Sequence, residues 1–174
     1  MTQELSADLV LAIHPFSRGF AFALLEAPLS PIDWGVREVK GPNPERQYLA
    51  LAQALVEQMQ PDVLVLSRLE TSVLHRSKRR DRFQRLLANY ARGEGVRVVQ
   101  YARVQVLACF EGVGAVTRYQ IAQAIAAQIH AFAHRVPPTR KVWEADDARM
   151  FLFDAIALAL THYCTPVASA PDHA

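Results

Sequence analysis

The chain has 174 residues, of which 51% are apolar, enough for one domain with its own core and too apolar for a disordered or collagen-like class. No apolar run reaches the ~18 residues of a membrane span, and the opening MTQELSAD lacks the basic and apolar regions of a secretory signal, so neither a membrane helix nor a leader is expected. The formal net charge is only +2, so any surface for a polyanion must come from how the charges are distributed. Cys109 and Cys164 stand in unrelated contexts with no CxxC pair, so reduced thiols in a cytoplasmic setting are expected rather than a disulfide framework.

In chain order, residues 9–25 (LVLAIHPFSRGFAFALL) hold two apolar runs joined by a Pro/Ser/Gly turn. They read as a β-hairpin in the middle of a covered sheet, with His14 at the end of its first strand. Residues 32–39 are expected to form a third strand. Asn43-Pro44 opens a helix whose apolar positions are Tyr48, Ala52, Leu55, Val56 and Met59. Gln60-Pro61 ends it, and 62–67 (DVLVLS) is a short buried strand. A helix is expected from about Asp81, with Phe83, Leu86, Leu87 and Tyr90 as its apolar face and Arg82, Arg85, Asn89 and Arg92 on another. Residues 96–101 alternate like a strand, and 102–110 read as helix. Thr117 is placed to cap a helix holding Ile121, Ile125 and Ile129. A polar connector around Trp143, expected as a packing anchor, leads to a last helix over about 148–163. The domain is expected over 1–166, with a disordered tail at 167–174. Three antiparallel strands followed by αβ units indicate an α/β protein, a mixed five-stranded sheet flanked by helices.

This order, and the residues within it, resemble the RuvC-like Holliday-junction resolvases of the ribonuclease H-like superfamily. LVLAIHPFSRGFAFALL is similar to their first hairpin and PDVLVLS to the strand ending at their glutamate. VRVVQYARVQV with GVGAVTRYQIAQAIAAQ is similar to their Tyr-Ala-Arg segment, glycine loop and helix. FLFDAIALALTHY is similar to their final helix. The matches are collinear over nearly the whole chain. The resemblance implies a ribonuclease H-like fold, a homodimer, and four carboxylates holding two divalent ions, Mg or Mn, for phosphodiester hydrolysis.

Carried over one at a time, those carboxylates fall on His14, Ser67, Phe151 and Asp154, and only Asp154 is an acid. A rebuilt set would draw on Glu70 and Asp147, with His14 and Asp154 as metal ligands, since imidazole also binds Mn. Glu70 serves only if its strand ends early. Asp147 lies roughly 10 Å along a continuous helix from Asp154, so it serves only if the helix begins after it. The plainer readings stand beside these: His14 as a hydrogen-bonded strand-end residue, and Asp154 as the partner of a cation such as Arg18. Arg18 is equally suited to holding a phosphate in the metal's place.

Between residues 68 and 85 the chain carries seven Arg/Lys against Glu70 and Asp81. Arg76, Lys78, Arg79, Arg80, Arg82 and Arg85 are, with Arg18, the candidate nucleic-acid contacts. A solvated helix face is the bland alternative. The leading expectation is a protein that binds branched or duplex DNA, with little or no metal-dependent cleavage. The alternatives are an active structure-selective endonuclease with a rearranged two-metal site, and a protein-interaction module on the same fold.

Overall fold

A hairpin at the centre of the sheet organises the rest. In the computed structural model, which describes residues 7–68, 78–141 and 143–165, strand β1 (Val10–Phe16) pairs antiparallel with β2 (Gly19–Ala27), and β2 with β3 (Ser30–Glu38). Gly19 is required where the hairpin turns. A side chain there would bring its first carbon within 1.8 Å of the Arg37 carbonyl oxygen on β3. Helix α1 (Pro44–Met59) then leads to β4 (Val63–Ser67), and α2 (Lys78–Gly93) to β5 (Arg97–Tyr101). These two strands lie parallel to β1, giving the order β3-β2-β1-β4-β5. Helices α3 (Arg103–Phe110), α4 (Arg118–Gln128) and α5 (Ala148–Cys164) complete the fold. The mixed five-stranded sheet flanked by helices is the architecture expected from the sequence.

The period of two along the strands divides the core into two layers. Val10, Ala12, Ala21 and Ala23 face α3, α4 and α5, while Leu11, Ile13, Phe20, Phe22 and Leu24 face α1 and α2. The small alanines let α5 lie close to the sheet. α5 is buried on nearly every side, which is why its sequence is apolar all round instead of striped.

Several local expectations need adjustment. α2 starts at Lys78, earlier than Asp81, because its first turn is polar and gives no periodic signal. Its buried side is Phe83, Gln84, Leu87, Ala88 and Ala91, and Leu86 lies exposed beside it. Trp143 is no packing anchor: it is 80% exposed, with the Lys141 ammonium 5.5 Å from its ring centre. The two cysteines are neighbours, since the ends of α3 and α5 meet and the Cys164 thiol lies 3.9 Å from the Cys109 carbonyl oxygen. Both are free thiols, and burial pushes that of Cys109 up to about 12, far from a reactive thiolate.

A polar chain, buried at Tyr101 and His162, ties β5 and α5 to Asp8. The Tyr101 hydroxyl is 2.9 Å from His162 Nδ1, His162 Nε2 is 2.9 Å from Asp8 Oδ2, and Arg97 Nη2 donates to the same oxygen at 2.5 Å. Tyr163 donates its hydroxyl to the Asp8 and Leu25 carbonyls. Tyr101→Phe leaves the buried imidazole short of a partner. Its expected cost is about 1–2 kcal/mol, read from urea melts.

Candidate functional site

The site forms where β1 and β4 end against the middle of α5. His14 shares the face of Val10 and Ala12, so the strand's alternation aims it at α5, where its Nε2 lies 3.5 Å from Asp154 Oδ2. Ser67 closes β4, and its hydroxyl accepts a 2.8 Å hydrogen bond from Gln84 Nε2 on α2. His14, Ser67 and Asp154 line one cleft of about 330 Å³, together with Arg68, Arg80, Arg103 and Arg118. Three of the four positions carried over from the resemblance therefore converge. The fourth, Phe151, stacks on Phe16 at 4.4 Å and 8°, and on His14 at 6.0 Å and 18°.

The cation paired with Asp154 is Arg118, not Arg18. Arg118 Nε donates to both carboxylate oxygens, at 2.9 and 3.0 Å, and Nη2 donates to Oδ2 at 2.5 Å. Its Nη1 lies 3.3 Å from Asp146, which Arg140 also holds at 2.9 Å, and its guanidinium sits 5.3 Å above the Phe151 ring centre. Burial works against the Arg118 charge, but Asp154 and Asp146 outweigh it and hold its pKa above the ordinary guanidinium value. The capping box just before it fixes its position: Thr117 Oγ1 accepts from Gln120 N, and the Gln120 side chain accepts from Thr117 N. Arg18 sits exposed on the hairpin turn, where its carbonyl accepts from Val39 N.

Burial lowers the His14 pKa below 6.5. Asp154 pulls it up, while Arg118 and Arg80 push it further down. The imidazole is therefore neutral at pH 7. A histidine depressed in the folded state binds fewer protons than in the unfolded chain, so its stabilising effect is full above 6.5 and fades as pH falls below it. Melting temperatures are expected to drop from pH 7 to pH 5, and His14→Asn to flatten part of that slope.

The residues described do not fit a pair of divalent ions. Among them no group of three or more His, Cys, Asp or Glu is arranged to hold a metal, and the one retained carboxylate is bound by a guanidinium. α5 does begin after Asp147, as a rebuilt site would need. Even so, Asp147 caps the helix through the Arg149 amide at 2.9 Å and pairs with the Arg149 side chain at 2.7 Å. It lines a neighbouring groove with Pro137, Pro138 and Met150, not the cleft of His14. Asp146 is the acid the connector brings to Arg118 instead. Glu70 and Arg76 lie outside the described residues.

The expected basic surface divides. Arg80 lines the cleft, whereas Arg79 pairs with Glu45 at 3.0 Å and shares with Arg82 a separate groove beside the start of α1. Lys78 and Arg85 are exposed on α2. Of the other cleft cations, Arg103 and Arg118 are not among the contacts expected from the sequence, and Arg68 enters there only as the first of the seven cations of residues 68–85. Each sits just past a strand end or a helix cap, a place the apolar periodicity does not mark. No helix among the described residues is long and apolar enough to cross a membrane.

No family model and no curated protein sequence matches the chain. Solved structures do. RuvC of Thermus thermophilus is similar over 90% of this chain and 93% of its own, with 17% identity and a TM-score of 0.64. The yeast mitochondrial Holliday junction resolvase Ydc2 matches over 91% and 78%, at 12% identity and 0.63. The Fowlpox virus resolvase, solved with Holliday junction DNA, matches over 89% and 97%, at 13% and 0.52. Strand order, the converging positions and these likenesses agree: the chain has the ribonuclease H-like fold of the RuvC-type resolvases.

Proposed function

We propose that this protein binds DNA, branched or duplex, through the phosphates of its backbone and without metal-dependent cleavage. The observation that carries the reading is the set of guanidiniums around the cleft, Arg68, Arg80 and Arg103, beside an Asp154 carboxylate that Arg118 holds. Lys78 and Arg85 are further exposed cations on α2. Guanidinium forks suit phosphate oxygens, and such contacts position a backbone without reading its sequence. The likeness to resolvases, two of them solved with Holliday junction DNA, favours a branched partner.

The test is equilibrium binding to a labelled four-way junction, the matching duplex and a single strand, all in EDTA. The reading expects binding that weakens steeply with added salt and does not depend on base sequence. No binding at low salt overturns it.

A further inference from the structure

We infer that the cleft seats a single phosphate-bearing nucleotide, its phosphate on Arg68 and Arg103 and its base against the apolar side chains of Val106, Ile121 and Leu158. This rests on the DNA-binding reading but goes past it, from a charged surface to a pocket for one unpaired unit. At about 330 Å³ the cavity lies at the small end of ligand pockets, which run from about 300 to 1,000 Å³.

Its lining is of two kinds, guanidiniums and apolar side chains. Arg68 follows β4 directly, its amide bonded to the Tyr101 carbonyl at 2.8 Å, and Arg103 opens α3 two residues beyond β5. The two arginines thus stand side by side at the carboxyl ends of adjacent parallel strands, where open α/β sheets bind ligands. Among the described residues no carboxylate pairs with either, whereas Arg118 is already compensated by Asp154 and Asp146. Two guanidiniums lining one cleft, with no carboxylate partner among the described residues, suit a phosphate.

Val106, Ile121 and Leu158, from three helices, give the same cleft an apolar part. A base can lie on it, with guanidinium planes stacking on the base's face. Ser67 adds a directional contact. Its oxygen already accepts from Gln84, so its hydroxyl proton is left to donate into the cleft.

The experiment is calorimetric titration in EDTA with dTMP, thymidine and 5′-phosphorylated dT4, beside anisotropy with a blunt duplex. dTMP and the tetranucleotide are expected to bind and thymidine not to. Binding by dTMP alone marks a free nucleotide as the source, and binding by the tetranucleotide alone marks a strand end; either supports the pocket. Val106→Trp, which fills the cavity from a half-exposed position, is expected to weaken nucleotide binding about tenfold and leave the blunt duplex unaffected. If that variant fails to melt cooperatively, Arg103→Gln, at an exposed residue, is expected to give a loss of the same size.

Duplex binding with no dTMP or tetranucleotide binding overturns the pocket and spares the DNA-binding reading. Nucleotide binding unchanged in Val106→Trp, or in Arg103→Gln where that variant takes its place, also overturns the pocket. Nucleotide binding with no binding of a four-way junction or a duplex overturns the wider reading alone.

Discussion

Arg118→Leu is expected to destabilise the fold by about 2 kcal/mol, more than any other single change in the cleft, because it strands the Asp154 carboxylate in a largely apolar helix. Asp154 is only 19% exposed, with Phe153, Ala155 and Ala157 buried around it. Three guanidinium hydrogen bonds compensate its charge. The pair keeps some contact with water, so the cost falls below that of a fully buried ion pair. Asp154→Asn in the same background is expected to recover about half of it, because the uncompensated charge is then gone. A double-mutant cycle in urea makes the comparison, and a coupling near zero contradicts the pairing.

The second large effect falls on binding. Arg68→Gln with Arg103→Gln is expected to lower duplex affinity roughly 10- to 100-fold and to reduce the salt slope by about two, one for each phosphate contact removed. Arg79→Gln is expected to change little, since that guanidinium is turned to Glu45 on α1. Salt titrations of the three proteins separate the cleft from a diffuse positive surface. Equal losses from all the substitutions contradict a localised site.

Much of the fold is legible in the chain because its signals are local. The hairpin announces itself by two apolar runs and a turn, and the α4 start by Thr117 with Gln120 three residues on. The convergence of His14, Ser67 and Asp154 follows once the strands are ordered, because the alternation of β1 fixes which way His14 points. What decides the chemistry is not local. Arg118 reaches Asp154 from 36 residues away because α4 packs on α5, and nothing in its own segment distinguishes it from Arg18. The choice of Asp146 over Asp147 likewise depends on the last turn of the connector, where Asp147 is consumed as a helix cap. Leu86 and Trp143 show the same limit from the other side: an apolar residue at a plausible spacing is buried only where another element covers it.

With the Arg118 guanidinium bound to the Asp154 carboxylate, the function proposed is DNA held at the cleft and not cut. A labelled four-way junction incubated in Mg²⁺, in Mn²⁺ and in EDTA, with the wild-type protein and with Asp154→Asn, tests it most directly. A shifted, intact junction is expected in every lane, with the shift retained in EDTA. Nicked product that appears with Mn²⁺ or Mg²⁺ and disappears in Asp154→Asn contradicts it.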